Sequence, residues 1–445
     1  MNKKIKNLFS CDIVVFWIIL VVCFFIRLLY VISLDISAPI RGDAYAYVQY
    51  AANIIEHGVF SKSDSPSPLP DSYWAPGYPF FLVLCSLLGT IIGVGFYPVA
   101  LFFQALLSAA TSALAFSTAR LVMPRAAAFA VAILTIISPH LMTHTGYILS
   151  ETLFTFLLMV AVFCYLKALK KQNSLWLAGV SGLAFGLAYM TNPVMLFVPV
   201  IFALLFFIFS YLNKNTIKAR KFVGVFLGLF LIFVCSWTIR DKVSVPKNQL
   251  SSSDRAFENL IIGAHSNFHD IWRANPRDPL NPYEIDYKKY KNDRSGFYTE
   301  LGARIAEHPQ HYFYWYLVKK PLELWGWDIL VGYGDVYVYN VNSSLYQKSN
   351  VALVSLVIMK QLHYWLFASA ILGLYFAVKE KDPIQRQTIL SIYLCILCIS
   401  AIYVVLHSDA RYSVPLRPEM YLCSVYAIYK LIDLVRQRKK SLPPN

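Results

Sequence analysis

Apolar residues follow one another in long runs along this chain, without the alternation or short helical periodicity of a water-soluble fold. Residues 13–34 form the first run, and comparable runs recur as far as residue 434. Several exceed the roughly 18 residues that a helix needs to cross a bilayer. Backbone groups in hydrocarbon must be satisfied within their own segment, so the runs predict helices. Basic segments at 3–6, 120–125, 167–171, 214–221, 379–386 and 436–440 punctuate them. Cytoplasmic loops carry an excess of Lys and Arg, which places all six segments on the cytoplasmic side. The spans that fit between them are about 12–33, 97–119, 126–142, 152–170, 174–191, 193–212, 220–238, 351–378, 388–407 and 414–434. The expected fold is therefore an all-α polytopic membrane protein, a bundle of about ten transmembrane helices. Residues 77–95 are also apolar, but counting them would put Arg120 and Arg125 outside. Charge parity predicts a re-entrant or interface-lying helix there, opened by the turn Pro76-Gly77-Tyr78-Pro79.

Two polar segments fall on the non-cytoplasmic side. The first, 35–75, opens with a helix expected from about Asp43 to His57. Its Ala44, Tyr47, Val48, Ala51, Ile54 and Ile55 recur at helical spacing and would lie on the membrane surface. The second, 239–349, is rich in Tyr, Trp, Asp and Asn and contains an interface-like helix from His311 to Trp327. The chain divides into an N-terminal transmembrane module (1–238), a non-cytoplasmic loop region forming a cap (239–349), and C-terminal helices with a basic tail (350–445).

Composition agrees. Of 445 residues, 57% are hydrophobic and 15% charged, with a mean hydropathy of +0.51; a soluble domain carries about a quarter charged residues. The net charge of +15 lies in the short loops that set membrane orientation, so it does not point to nucleic acid. The first run is too long for a signal peptide and lacks a small-residue cleavage site, which reads as a retained helix. All 8 cysteines lie in or beside apolar segments. The pair Cys395 and Cys398 has no second pair or nearby His, and reads as helix packing.

Charged groups beside membrane helix ends are functional candidates, because placing them there is costly. Asp43, in Arg41-Gly42-Asp43-Ala44-Tyr45, can accept a proton or bind a cation; it also reads as the N-cap of the helix it begins. Glu151, in Ser150-Glu151-Thr152-Leu153-Phe154, opens a span, where the helix dipole and a Ser150 cap explain it equally well. The two carboxylates face one compartment and suit acid–base work or a divalent cation. His140 and His144 precede them, four apart, a spacing that does not by itself make a metal site. Arg240, Lys319, Lys320 and Arg411 form an outward-facing cationic set suited to a phosphate, each alternatively a snorkelling side chain. Tyr73-Trp74-Ala75-Pro76-Gly77-Tyr78-Pro79 can line a sugar or lipid pocket, or form an interfacial belt.

In order, these segments resemble the GT-C superfamily of polyprenyl-phosphate-dependent glycosyltransferases, in particular the group of protein mannosyltransferases and the lipid A aminoarabinose transferase. The resemblance rests on Asp43 after the first span, the Pro-Gly-Tyr-Pro segment at 76–79, Glu-Thr-Leu-Phe at 151–154, Trp-Thr-Ile-Arg at 237–240 with Glu258 to Gly263 beyond it, and Arg-Tyr-x-x-Pro at 411–415. Asp241 stands where that group usually has Asn, and Ser236 where Pro is common. The resemblance implies a GT-C-like bundle with juxtamembrane helices, and transfer of a sugar from a polyprenyl-phosphate donor to a hydroxyl of a glycan, lipid or protein, with inversion. It implies Asp43 as general base and Glu151 as its companion. Arg240, Lys319, Lys320, Arg411, Tyr412, Tyr78, His144 and His265 would contact substrate, and the segment Ser251 to His265 would close over the sugar. It also implies a bacterial inner membrane with the site facing outward. A transporter or flippase of lipid-linked saccharide is the alternative, although no inverted halves are evident.

Overall fold

The computed structural model describes residues 3–171, 174–212, 216–275, 280–328 and 341–441. The stretches 276–279 and 329–340 of the expected cap, residues 213–215, and the side chains of 3–11, 212, 216–218, 273 and 439–441 lie outside the description. Among the described residues all regular structure is helical apart from one isolated bridge, Asp35 to Ser343.

The first half contains α1 (Lys3–Ser33), α2 (Asp43–His57), α3 (Gly77–Ile92), α4 (Phe96–Ala119), α5 (Arg125–Ile137), α6 (Pro139–Thr143), α7 (Glu151–Lys170), α8 (Leu175–Thr191), α9 (Val198–Leu212) and α10 (Thr216–Ser244). A cap follows, made of α11 (Ser252–Ala264), α12 (Phe268–Ala274), α13 (Pro282–Tyr290), α14 (Arg294–Glu307), α15 (Pro309–Tyr314) and α16 (Lys320–Leu324). The chain then forms α17 (Leu345–Lys348), α18 (Asn350–Val378), α19 (Pro383–Val405) and α20 (Arg417–Ser441). Among the described residues seven helices are long and apolar enough to cross a bilayer, and eight if α5 and α6, bent by 50°, count as one span. Reaching the expected ten requires α8 and α20 to span as well.

Ion pairs and hydrogen bonds gather the loops at one end of the bundle. Asp12, near the start of α1, pairs with Arg120 at 3.1 Å and Arg125 at 2.6 Å. Lys170 donates to the Leu121 carbonyl, Gln385 to Val122 at 3.0 Å, and Lys430 pairs with Glu380 at 2.5 Å. The basic loops thus gather at one end. Toward the other end, Cys23 meets Ser112 and Arg27 meets Ser108, so α4 runs antiparallel to α1. Gly77 at the start of α3 lies against Thr191 at the end of α8, where a Cβ would come within 2.6 Å of the Thr191 hydroxyl. Since α4 begins three residues after the Gly93 turn (φ 74°), α3 starts and finishes at the end away from Asp12.

The amphipathic helix α2 has the predicted bounds, and half of its expected apolar face turns into protein, while Val48 and Ile54 are half-buried and Ile55 is exposed. Ala44, Tyr47 and Ala51 are buried in protein, because Tyr47 packs edge-on against Trp74 and Tyr78 at 4.6 and 4.7 Å. The helix expected over His311 to Trp327 is present as a continuous helical stretch from Pro309 to Leu324, in which a π-turn at Trp315–Lys319 joins α15 to α16. Close helix contact uses small residues, as is usual in membranes. Gly182 of α8 sits against α10 so tightly that a Cβ would reach 2.2 Å from the Phe226 carbonyl.

The bend between α5 and α6 is built by Pro139. Proline has no N–H for the Thr135 carbonyl, and its ring opposes continuation of the helix. Arg27, fully buried within α1, takes the freed acceptors: Nη2 to the Thr135 carbonyl at 3.0 Å, Nη1 to Ile136 at 2.8 Å, and Nε to Ser108 at 3.0 Å. Replacing Arg27 by Met leaves two carbonyls without that donor and should cost on the order of 3 kcal/mol. Thermal unfolding of detergent-solubilised protein reads this as a lowered midpoint; an unchanged midpoint would show that the bend holds itself.

Candidate active site

Asp43 is the first residue of α2, after Gly42 in a left-handed turn (φ 56°). It does not cap the helix, as the sequence allowed; its side chain turns to Arg411 instead, Oδ2 accepting from Nη1 at 2.7 Å. Glu151 opens α7, and its Oε1 accepts from Nε of the same guanidinium. Ser150 does not cap α7 either, because its hydroxyl receives the Tyr47 phenol at 3.1 Å. Burial pushes the Tyr47 phenol up, so it remains a donor. Arg411 therefore bridges two carboxylates brought together from residues 43 and 151.

Arg411 is delivered by a short 3₁₀ segment, Ala410–Leu416, whose start is capped by Asp409 accepting from the Arg411 amide at 2.8 Å. Proline at 415 stops the segment from continuing as α-helix and leaves room for α20 to start at Arg417. Ion-pair geometry distinguishes the two acids. The Asp43 side chain is 37% exposed, whereas Glu151 is 8% exposed with Oε2 buried. Asp43 is the more exposed of the two.

The three residues line a cavity of about 290 Å³. Phe154, Phe197, Val194 and Ile402 form an apolar side. Helix α11 also lines it, through Ser252, Arg255, Ala256 and Asn259, which share one helical face. Its other face, Phe257 and Ile261, packs with Tyr283, Tyr290 and Phe297 of the cap. Arg255 stacks over Trp74 with its guanidinium carbon 3.6 Å from the ring centroid. Arg411 is balanced by two carboxylates, while Arg255 has no ion-pair partner among the described residues. Asn192 donates to the Tyr403 phenol at 2.8 Å, and Tyr403 stacks on Tyr412 at 4.8 Å and 14°.

The remaining sequence candidates are distributed differently. Tyr412 lines the cavity. Tyr78 supports Tyr47 from behind and donates to Gln104 at 2.6 Å. His144 is buried under the site, with Nδ1 2.8 Å from the His140 carbonyl. Arg240 does not line the cavity; it ties the end of α10 to the first loop through the Asp71 carbonyl at 2.7 Å and Phe60 at 3.2 Å. His265 donates to Asp286 at 3.0 Å within the cap, where Arg304 holds the same carboxylate. Lys319 reaches the Ser266 carbonyl at 3.5 Å and Glu323 at 3.8 Å. Lys320 is buried, and its ammonium bonds the carbonyls of Gly263 at 3.0 Å and Leu406 at 2.8 Å, clamping the cap to the end of α19. Gly263 is required there, since a Cβ would fall 1.4 Å from the Leu406 carbonyl oxygen.

Sequence reasoning singled out neither Arg255, Asn192, Tyr403 nor His407, all of which line the cavity. Arg255 carried a signal, the i, i+3, i+4, i+7 spacing of residues 252, 255, 256 and 259 in a loop helix. Among the described residues no group of three or more His, Cys, Asp or Glu is placed to hold a metal ion.

Burial lowers the Lys320 ammonium to about 7. With the folded value below the unfolded one, the unfolded chain binds more protons between about pH 7 and 10, so stability rises with pH across that window. The unfolding midpoint should climb from pH 7 to pH 9 more in the wild type than in Lys320→Met; equal slopes would remove Lys320 as the cause.

Comparisons with known proteins follow the same line. Residues 75–238 match the family described as dolichyl-phosphate-mannose-protein mannosyltransferase. No curated protein matches the chain by sequence. Among solved structures, the archaeal oligosaccharyltransferase AglB from Archaeoglobus fulgidus, in complex with an inhibitory peptide and a dolichol-phosphate, is similar at 13% identity and a TM-score of 0.48, covering 97% of this chain and 52% of that one. ArnT from Cupriavidus metallidurans, bound to undecaprenyl phosphate, is similar at 12% identity and a TM-score of 0.47, covering 94% and 60%. The chain thus spans about half the length of the oligosaccharyltransferase. The sequence similarity to the mannosyltransferase family thus extends over residues 75–238, somewhat more than a third of the chain.

Proposed function

We propose that this protein is an inverting membrane glycosyltransferase that moves a sugar from a polyprenyl-phosphate donor to an acceptor hydroxyl. The observation that carries the reading is the cavity lining, which divides between an accessible carboxylate, a buried one and two guanidiniums on the one hand and apolar residues such as Phe154, Phe197 and Ile402 on the other. That division suits a donor with a charged head and a lipid tail.

The residues support a single displacement. Asp43 Oδ1 has no partner among the described residues and is positioned to accept the hydroxyl proton while the acceptor oxygen attacks the anomeric carbon. The bond from that carbon to the phosphate oxygen breaks on the opposite face, which inverts the configuration. Negative charge then grows on the departing phosphate, where fixed cations are most effective. Arg255 is the best placed, because stacking on Trp74 occupies the face of its guanidinium and leaves N–H groups at the edge. Arg411 holds Asp43 and Glu151 in place, and Glu151 completes its charge balance. Of the sequence candidates, Arg240, Lys319, Lys320 and His265 shape the loops around the cavity.

The gathering of basic loops at the Asp12 end supports a site on the non-cytoplasmic face, as the positive-inside bias requires. Two variants test the reading with a purified lipid-linked sugar donor. Asp43→Asn should lower turnover about 100-fold or more, the usual contribution of a general base. Arg255→Ala should weaken donor use by at least about tenfold, from loss of a charge-assisted phosphate contact. Wild-type turnover in correctly folded Asp43→Asn would sink the assignment.

A further inference from the structure

The segment between the cap and the later helices, Trp325-Gly326-Trp327, is held in an unusual way. Three consecutive backbone carbonyls are each taken by a basic side chain from a different helix. His363 of α18 reaches the Trp325 carbonyl at 2.7 Å, Arg417 of α20 donates to Gly326 at 2.8 Å, and His140 of α6 reaches Trp327 at 2.7 Å. All three side chains are buried. Arg417 Nη1 also lies 3.0 Å from His363 Nδ1. A guanidinium only donates, so Nδ1 accepts and Nε2 carries the proton toward Trp325. His363 is thus used as one donor and one acceptor.

The held segment bears on the residue before Arg411. A Cβ built at Gly326 would stand 3.8 Å from the Ala410 methyl, so Gly326 faces Ala410 at close range. The Ala410 carbonyl accepts from Ser413 at 2.8 Å, and Arg417 Nη2 reaches the same Ser413 hydroxyl at 3.2 Å. Arg411 follows Ala410 directly, and its guanidinium spans Asp43 and Glu151.

We propose that His363 and Arg417, with His140, are positioning residues that set Arg411 by fixing the Trp325–Trp327 strap and the 3₁₀ segment between them. They touch no wall of the cavity; they act through Ala410 and Ser413. The consequence for transfer rests on the function proposed above, but the positioning itself does not. Side chains with one donor and one acceptor can replace His363, and apolar ones of similar bulk cannot.

The test is the strength of the Arg411–Glu151 coupling, measured without substrate. Arg411→Met, Glu151→Gln and their combination are compared by thermal unfolding of the full-length protein in detergent, which gives the coupling as a shift in midpoint. The same cycle is repeated with His363→Phe and with His363→Gln. The expected result is a coupling that falls by at least half with Phe and returns toward the wild-type value with Gln. A lowered midpoint with unchanged coupling in His363→Phe would make the clasp purely structural and overturn the proposal. Should His363→Phe fail to fold, Arg417→Lys, which keeps the charge but not the fork, serves in its place under the same criterion. A correct coupling result with no sugar transfer in any variant would leave positioning intact and count against the enzymatic reading alone.

Discussion

One guanidinium holding two carboxylates from distant parts of the chain is the interaction on which the site depends. Asp43 stands at the start of α2, Glu151 at the start of α7, and Arg411 between α19 and α20. Without the arginine, two negative charges would be held close together beside an apolar wall, which costs energy at low local dielectric. With it, the pair is stabilised and the first, middle and last parts of the chain are tied at one point. Its chemical value lies in the asymmetry of the acids: Glu151 is buried under the arginine while Asp43 keeps a free edge toward the cavity.

The same constraint appears elsewhere in the bundle in a different form. A helix that breaks inside a membrane protein leaves carbonyls that no water can satisfy, and a cation buried there has no water either. This chain answers both needs together. Arg27 takes the carbonyls freed at the α5–α6 bend, Lys320 those of Gly263 and Leu406, and Arg417 that of Gly326. Each lies at a place where the chain must leave helical geometry, and two of them, Lys320 and Arg417, border the segment that presents Arg411. The cations that the sequence marks as unusual are mostly architectural, and their architecture serves the site.

What could be read from the sequence followed from period and charge. Long apolar runs gave the all-helical fold, and α2 was expected with its observed bounds because Asp43 and the spacing of its apolar residues mark them. Asp43, Glu151 and Arg411 were legible since charged groups beside apolar runs stand out, and their contact with one another is what the sequence could not show. The role of Arg240 was not legible: a cation at a helix end looks the same whether it meets a ligand or the Asp71 carbonyl. Arg255 was hidden by its setting in a polar loop where charge is ordinary. Part of the apolar face of α2 is taken up by aromatic packing of Tyr47 on Trp74 and Tyr78, a tertiary contact outside any local pattern.

The central claim is a single displacement at the cavity where Asp43 meets Arg411. It is tested most directly by incubating the protein with a polyprenyl-phosphate sugar of known anomeric configuration and reading the product's configuration by NMR. The account predicts one product with the configuration inverted and the polyprenyl phosphate released in equal amount. A retained configuration, or lipid moved across the bilayer with the sugar still attached, would contradict it.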